Sequence, residues 1–442
     1  MTTDTTEPEQ TREDPGDAPG PIVPVTKARR LLSLDAFRGF DIAAMLLVNL
    51  TWDKSVFHPQ LFHVDWNAPR QGATFTDLVF PWFLFIAGAA IPLSMRSGRG
   101  RSQSGGRKVL IAFRRAMVLY LLGVLLTVAG QWYDRPAVWK DLFSWNILQL
   151  IGWGYFAAVC VFLLPRWAQV SFVVVVLGAK WLVMAGLPYE IVTGPFSPRG
   201  AGPGEGLPAP TGPGTFEHFD AVKRYLAAEH LEPTVLNKVI GWLGMWQQVL
   251  PLAAVAVCGG LTTDLLRRGV RGSEPEDART ESVNAGLALG AGALLVGLGY
   301  VLQWGYRAEG GGLWGAWTVP FSKWFISPAY CLLSAGTGMM LYAGFFYVID
   351  ARRWTGAWAL RVYGLNAIAL YLAAELSFKI LWARWQMPGP GGRTMSWASG
   401  SQEWLAAWLG RGPGLWAHVL LYLGLWWVFC WWLYRRKWFF KV

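Results

Sequence analysis

The sequence predicts an all-α integral membrane protein built as a single bundle of about ten transmembrane helices. Its 442 residues are 53% hydrophobic and only 15% charged, with 28 tryptophans. The apolar residues fall into runs of roughly the 20 residues that a helix needs to cross the hydrocarbon core of a bilayer. Basic residues cluster between these runs. The three observations together exclude an ordinary soluble domain.

Apolar segments along the chain define the predicted spans in order. Only Arg114 and Arg115 interrupt the run at 110–130, and no charge interrupts the run at 145–164. The predicted spans are 36–52, 74–95, 110–130, 145–164, 167–187, 238–262, 283–304, 322–349, 357–378 and 414–434. Because this number is even, both termini are expected on the same side of the membrane.

Basic residues indicate which side this is. Between the second and third spans, basic residues occur without an acid, at Arg96, Arg99, Arg101, Arg107, Lys108, Arg114 and Arg115. Loops rich in arginine and lysine stay in the cytoplasm. The same parity places the basic groups at 267–271, 352–353 and 435–437 inside as well. Both termini are therefore predicted to be cytoplasmic.

Two segments differ in composition from the predicted spans. Residues 1–28 are rich in Thr, Asp, Glu, Pro and Gly, and predict a disordered cytoplasmic tail without the apolar core of a signal peptide. Residues 188–237 include a stretch rich in proline and glycine, which predicts an external loop. The remaining chain, 29–442, is predicted to be one membrane domain. The lack of a signal sequence favours a multi-pass protein of a bacterial-type plasma membrane.

Charge and cysteine content exclude other classes of protein. The net charge of +11 is explained by basic loops that face anionic lipid headgroups, so no nucleic-acid partner is expected. All 4 cysteines lie in apolar runs, and no zinc-binding spacing is present. The sequence thus predicts neither a disulfide framework nor a metal site. It leaves the oligomeric state open, with a homodimer among the alternatives.

Polar groups in or beside the predicted spans are candidate functional residues, because a membrane tolerates them only if they are paired, hydrated or used. Asp35 and Arg38 lie one turn apart, which favours a structural ion pair, although Arg38 could also bind a phosphate. On the predicted external side we expect a polar pocket. Its candidate residues are Asn49, His63, Asp77, Lys323, Asn366 and Glu375.

Two interpretations of these external groups remain open. Histidine has an ordinary pKa near neutrality, so His63 could transfer protons, although a loop histidine is more often only solvated. Lys323 and Glu375 could form a structural salt bridge between helices. Residue chemistry alone does not choose between these alternatives.

Several motifs resemble those of one family. Residues 30–39 read Arg-Leu-Leu-Ser-Leu-Asp-Ala-Phe-Arg-Gly, followed by His63, by the Trp66-Asn67 pair and by Asp-Leu-Val-Phe-Pro-Trp-Phe at 77–83. These motifs resemble the heparan-alpha-glucosaminide N-acetyltransferase family, and weaker similarity continues at 147–152, 363–368, Glu375 and 433–437. The similarity has departures: Ala68 stands where the family usually has glycine, Leu150 where a basic residue is usual, and 373–374 where it has Gly-His.

The resemblance implies a transmembrane acetyltransferase. Such a protein moves an acetyl group from cytoplasmic acetyl-coenzyme A to an amine or hydroxyl of a sugar or glycoconjugate on the external side. It implies that His63 is the catalytic base or acyl carrier, with Asp77 and Asn49 beside it. The expected donor-binding residues are Arg38, Arg114 and Arg115, and the expected acceptor-binding residues are Asn67, Lys323, Asn366 and Glu375.

Two rival functions use the same features without acyl chemistry. A transporter or flippase of a sugar-linked substrate would use the polar pocket for binding alone. A membrane scaffold would bind no ligand at all. Transfer or hydrolysis of an acyl-coenzyme A would exclude both rivals.

Overall fold

The computed structural model describes residues 31–64, 73–131, 142, 146–186, 246–269, 275–305, 313–314, 317–323 and 326–440. The tail at 1–28, Asn67 and the loop at 188–237 lie outside these ranges, so the predictions made for them stay predictions.

The described chain is almost entirely helical, as the sequence predicts. Its long helices, in chain order, are α1 (Leu32–Val48), α2 (Phe75–Arg96), α3 (Gly105–Gln131), α4 (Ile147–Phe162), α5 (Arg166–Gly186), α6 (Trp246–Leu266), α7 (Pro275–Gln303), α8 (Pro328–Phe345), α9 (Trp358–Leu365), α10 (Ala367–Ser377), α11 (Trp397–Leu409) and α12 (Arg411–Arg435). Short helical turns occupy Pro59–Leu61, Gly98–Arg101 and Pro390–Gly392. Wider π-helical turns extend α8 over Phe346–Ala351 and α10 over Phe378–Trp382.

A single β-hairpin interrupts the helical part of the chain that the structure describes. Strands β1 (Gln386–Pro388) and β2 (Thr394–Ser396) pair antiparallel, with Met387 opposite Met395. The hairpin joins α10 to α11. It does not alter the fold class, which is all-α.

Fewer helices qualify as membrane spans than the sequence predicts. Within the described residues, 6 helices are long and apolar enough to cross a bilayer, namely α2, α3, α6, α7, α8 with its π extension, and α12. The predicted spans at 36–52 and 145–164 correspond to α1 and α4, which have only 17 and 16 residues. Helix α5 is also not among the six. The prediction of about ten transmembrane helices is therefore not supported by helix length and composition in the described part of the chain.

The predicted ninth span is broken. Helices α9 and α10 meet at an angle of 72°, and together they give a seventh candidate span. Asn366 lies at the break, with φ −126° and ψ 30°, so the backbone leaves the helical conformation there. Hydropathy does not reveal this bend, because the residues on both sides of it are apolar.

Helix α2 lies at the centre of the bundle and packs against α1, α4, α6 and α8. Its closest neighbour is α6, where a Cβ atom at Gly88 would lie 1.9 Å from the carbonyl oxygen of Ala256. A Cβ atom at Gly259 would lie 2.0 Å from the carbonyl oxygen of Phe85. Small residues that permit such close backbone approach are typical of helix packing in membranes. The two ends of α2 are thereby held at fixed positions in the bundle.

Candidate functional site

Asp77 occupies the first turn of α2 and anchors the candidate site. Its Oδ2 atom accepts a hydrogen bond from the backbone N–H of Thr74 at 3.2 Å, which completes a Thr-x-x-Asp capping box. The Thr74 hydroxyl and the Val64 N–H are also within hydrogen-bond distance of Oδ2, at 2.9 and 3.2 Å. The carboxylate side chain is only 4% exposed. Local helix capping therefore fixes a buried negative charge at this end of the helix.

His63 lies above this carboxylate on the loop that follows α1. Its Nδ1 atom is 2.8 Å from Oδ1 of Asp77. The loop is held in place because the Thr51 hydroxyl donates to the Leu61 carbonyl and the Thr76 hydroxyl donates to the Gln60 carbonyl, each at 3.1 Å. The His63 side chain is 51% exposed, so a ligand can reach it.

The pairing with Asp77 selects one tautomer of His63. An ionised carboxylate only accepts hydrogen bonds, so Nδ1 must carry the proton in this pair. Atom Nε2 is then unprotonated and has a lone pair available to take a proton or an acyl group. The same division of roles occurs wherever a carboxylate orients a catalytic imidazole.

Lys323 completes a cluster of three charged or titratable groups. Its Nζ atom is 3.1 Å from Nδ1 and 3.5 Å from Nε2 of His63, and 3.8 Å from Oδ1 of Asp77. Lys323 precedes α8, in a turn where Ser327 donates its N–H to the Ser322 carbonyl at 3.1 Å. Ile326 in the same turn has φ 50°, which is strained for a β-branched residue. The surrounding bonds thus hold the lysine against His63 despite a local conformational cost.

Burial makes Lys323 a weaker base than an ordinary lysine. Desolvation of the ammonium group lowers the pKa of Lys323 to about 8, although the Asp77 carboxylate opposes this change. A lysine with this pKa is still mostly protonated at neutral pH, and it loses its proton at a slightly higher pH. The cluster thus combines a lysine that can exchange a proton a little above neutral pH with an imidazole that can accept one, beside one buried carboxylate.

Asn49 and Glu375 form a separate pair. The Asn49 amide donates to Oε1 of Glu375 at 3.3 Å, and Lys379 lies 3.9 Å from Oε2 of the same carboxylate. The suggested salt bridge between Lys323 and Glu375 is therefore not formed, because each residue has another partner. The structure brings together His63, Asp77 and Lys323, while the Asn49 side chain is bonded elsewhere.

Asn366 holds the backbone in place at the bend. It is fully buried at the break between α9 and α10. Its amide donates to the Trp438 carbonyl at 3.0 Å, and its Oδ1 atom accepts from the Phe440 N–H at 3.0 Å. These bonds fasten the end of the described chain to the bend. The side chain satisfies the polar groups of the backbone and does not join the His63 cluster.

The predicted donor-binding arginines lie on α1 and α3. Arg38 is 3.6 Å from Asp35, which is the ion pair expected from their spacing. Arg115 donates to the hydroxyl of Tyr155 at 3.0 Å, and Arg114 is exposed. The described contacts give these residues different neighbours and do not by themselves define a phosphate site.

Two residues that bond to Asp77 and hold it in place were not identified from the sequence. Thr74 could have been found, because Thr-x-x-Asp before an apolar run is a helix-start signal. Tyr330, whose hydroxyl donates to the Asp77 carbonyl at 2.5 Å, has no local signal, since it lies 253 positions away. The described cysteines are free, and no group of three His, Cys, Asp or Glu in the described residues could hold a metal ion.

Comparisons with known proteins relate part of the chain to one family. Residues 30–198 match the family described as heparan-alpha-glucosaminide N-acetyltransferase, catalytic. The human heparan-alpha-glucosaminide N-acetyltransferase is 34% identical over 158 residues, which cover 35% of this chain and 22% of the human protein. The mouse protein of the same name is 34% identical over 131 residues, which cover 30% of this chain and 19% of its own length.

The family match includes His63 and Asp77 and leaves Lys323 outside. The matches to the two relatives span about a fifth of the length of those proteins, at 22% and 19%. Similarity beyond residue 198 stays a prediction. The resemblance predicted from the sequence is confirmed for residues 30–198, which are similar to the catalytic region of the heparan-alpha-glucosaminide N-acetyltransferases.

Proposed function

We propose that this protein is a transmembrane acetyltransferase that moves an acetyl group from acetyl-coenzyme A to an amine or hydroxyl of a sugar or glycoconjugate. The observation that carries the proposal is the exposed His63 imidazole, held through Nδ1 by the buried Asp77 carboxylate with the Lys323 ammonium beside the ring. The similarity to N-acetyltransferases over residues 30–198 supports the same reaction class.

His63 performs the central proton transfer in this proposal. In a direct transfer, Nε2 takes the proton of the acceptor amine or hydroxyl as that group attacks the thioester carbonyl. The carbon–sulfur bond then breaks, and the thiol of coenzyme A leaves with a proton. In the alternative route Nε2 attacks the thioester itself, the carbon–sulfur bond breaks and the coenzyme A thiolate leaves. The acceptor then attacks the acetyl-imidazole, which frees the ring, and the acceptor's proton passes to the thiolate. Asp77 orients the ring and stabilises the imidazolium in both routes.

Lys323 is placed to stabilise the negative charge that develops on the thioester oxygen. A cation held beside the nucleophile or base lowers the energy of a tetrahedral intermediate without further reorganisation. Asn49 could donate a hydrogen bond to the same oxygen only if its amide leaves Glu375. Lys323 is therefore the stronger candidate for this role, and Asn49 the weaker.

The remaining assignments follow the proposed topology in a bacterial-type plasma membrane. Both termini lie in the cytoplasm, together with Arg38, Arg114 and Arg115, the donor-side arginines expected from the resemblance. On the external side Asn67 and Glu375 are the proposed acceptor contacts. Asn366, predicted as a third, is not retained, because it bonds to Trp438 and Phe440 beside the C-terminus, which this topology places in the cytoplasm. The bilayer and a sugar acceptor are the proposed partners.

The direct test is incubation of purified protein with radiolabelled acetyl-coenzyme A and a panel of amino sugars. We expect His63→Ala to lower label transfer by about 10²- to 10⁴-fold, the usual contribution of a positioned base. His58→Asn is the matched control, because His58 lies on the same loop and only accepts the Gln60 N–H at 3.2 Å. Asparagine can make that bond, so transfer should be unchanged.

The outcomes separate the proposal from its rivals. Transfer that survives in folded His63→Ala protein would remove His63 from the reaction. A folded wild-type protein that neither binds the donor nor transfers acetyl would instead favour a transporter or flippase. Movement of a labelled sugar-linked substrate across vesicles would then be the next measurement.

A further inference from the structure

A pocket of about 540 Å³ opens at the end of the π-helical turn that follows α8. It is lined by Val348, Arg352, Arg353, Trp354 and Thr355. Two consecutive arginines and a tryptophan therefore share one wide, open depression. None of these residues belongs to the His63 cluster.

The backbone of this turn is built in an unusual way. The Arg352 N–H donates to the Tyr347 carbonyl at 2.9 Å, and the Trp354 N–H donates to the Val348 carbonyl at 3.2 Å. Between them Arg353 has φ 59°, the left-handed conformation that normally favours glycine at a helix end. A non-glycine residue in this conformation has a conformational cost, and such costs concentrate at functional sites.

Arg352 retains an uncompensated positive charge in this pocket. Its Nε and Nη2 atoms donate to the hydroxyl of Tyr347, at 2.9 and 2.5 Å. That partner is neutral, and within the described residues no carboxylate pairs with Arg352. Arg353 is 3.7 Å from Glu281, at the edge of ion-pair distance. The pocket thus offers at least one guanidinium group to an anion.

Trp354 presents a fixed aromatic surface beside these charges. Its side chain is 54% exposed. A Cβ atom at Gly356 would lie 2.3 Å from the indole ring, so the ring lies directly against the backbone of this glycine. An exposed indole supported from behind is a surface on which a purine can stack, at roughly 1–3 kcal/mol per base.

The pocket lies at the opposite end of α1 from His63. The N–H groups of Leu32 and Ser33, in the first turn of α1, donate to the carboxylate of Asp350, two residues before Arg352. At the other end of α1, Thr51 bonds to the loop that carries His63. Seventeen helical residues separate the two ends, about 25 Å at 1.5 Å per residue. A ligand that reaches both sites is long, with a phosphate-bearing end outside the hydrocarbon.

We propose that the turn Arg352-Arg353-Trp354 binds the 3′-phosphorylated adenosine diphosphate end of the acyl donor. The adenine stacks on Trp354 and the phosphates bind Arg352 and Arg353. This inference rests on the proposed acetyltransferase function, and on the predicted cytoplasmic location of residues 352–353. This donor site differs from the one predicted at Arg114 and Arg115, which lie on α3.

The test measures binding of adenosine 3′-phosphate 5′-diphosphate and the KM for acetyl-coenzyme A in nanodiscs of neutral lipid. The variants are Arg353→Gly, which removes the charge and suits the left-handed backbone, and Trp354→Leu. Each should weaken nucleotide binding and raise KM by about tenfold, with kcat unchanged. The matched control is Arg436→Gln, because Arg436 also lies over a tryptophan ring, 6.0 Å from the centre of Trp432, and does not line the pocket.

The 3′-phosphate gives a sharper version of the same test. Wild-type protein should bind 3′-dephospho-coenzyme A about tenfold more weakly than coenzyme A. Arg353→Gly or Arg352→Gln should reduce that difference. Unchanged discrimination in both variants would overturn the inference.

Two further outcomes distinguish a failure of this inference from a failure of the proposed function. Nucleotide binding that depends on the turn, without any acetyl transfer, would keep this inference and sink the proposed function. Acetyl transfer with an unchanged KM in folded Arg353→Gly and Trp354→Leu protein would do the reverse. Lipid headgroups share the phosphate chemistry, so discs with added phosphatidylglycerol form a second arm. If the variants bind the nucleotide as wild-type protein does and lose only the binding of phosphatidylglycerol, the inference is overturned as well.

Discussion

The two ends of α2 carry the same electrostatic arrangement with different chemistry. At its N-terminal end the buried Asp77 carboxylate lies beside His63 and Lys323. At its C-terminal end Arg96 pairs with Asp264 at 2.7 Å, and the same carboxylate pairs with Arg166. Each end therefore combines one largely buried carboxylate with two basic side chains from different parts of the chain.

The difference lies in whether the cations can lose a proton. Arginine stays charged at any pH that a protein tolerates, so the cluster around Asp264 can only hold α2, α5 and α6 together. Histidine and a lysine with a pKa near 8 can exchange protons near neutral pH, so the cluster around Asp77 can take part in a reaction. The comparison teaches that proton exchange, rather than charge or burial, separates a candidate active site from a structural clamp.

The largest expected effect comes from Asp77→Asn. The amide cannot stabilise the imidazolium or select its tautomer as a carboxylate does, so acetyl transfer should fall by about 10²-fold or more. The fold should persist, since asparagine can still accept bonds from Thr74. Steady-state kinetics and thermal unfolding measure the two quantities. Asp264→Asn is the matched control, because it removes a largely buried carboxylate that pairs with arginines at the other end of α2. Equal activity of Asp77→Asn and wild-type protein would refute the assignment.

Asp264→Asn should show the opposite pattern. Loss of the carboxylate leaves Arg96 and Arg166 without their charged partner, so the free energy of unfolding should fall by about 2 kcal/mol. The kcat and KM of acetyl transfer should not change. Glu403→Gln serves as the control, because Glu403 is 42% exposed and only 4.0 Å from Arg411. A large loss of kcat in stable Asp264→Asn protein would break the proposed distinction between the two ends.

The pH dependence of acetyl transfer tests the role of Lys323. Its lowered pKa means that the ammonium group is charged below about pH 8 and neutral above it. If the cation stabilises the oxyanion, the rate should fall as pH rises through about 8. Lys323→Arg stays charged, so this fall should disappear even if the maximal rate is lower. Identical alkaline limbs in the two proteins would exclude Lys323 from the oxyanion role.

The smallest effect is expected for a carboxylate that lacks a cation altogether. Asp41 is fully buried in α1, and neither of its oxygens has a hydrogen-bond partner in the described part of the chain. Because an unpaired buried polar group is costly, Asp41→Leu should leave activity unchanged and raise stability by about 1 kcal/mol. Thermal unfolding in detergent measures this change. Lost acetyl transfer in stable Asp41→Leu protein would instead give Asp41 a part in the reaction.

Local sequence patterns predicted a large part of the site and of the fold. The pairing of Asp35 with Arg38 follows from helical periodicity. The Thr-x-x-Asp capping signal at Thr74 is also present in the sequence, although the prediction of the site did not include it. The motifs around His63 and Asp77 lie only 14 positions apart, within one loop and one helix start. The helical class followed from apolar runs. The number of spans did not, because α1 and α4 are short and α9 and α10 meet at a bend.

The sequence by itself determined the helical membrane architecture and the two residues of the site that are close in the chain. Only the tertiary structure decided that Lys323 reaches His63, although 260 positions separate them, and that Asn49 bonds to Glu375. It also decided that Arg166 and Asp264, which lie 98 positions apart, form one clamp. The physical reason is that capping and periodicity depend on neighbouring residues. Contacts between helices depend instead on how their faces pack, at glycines such as Gly88 and Gly259, and no local pattern records that packing.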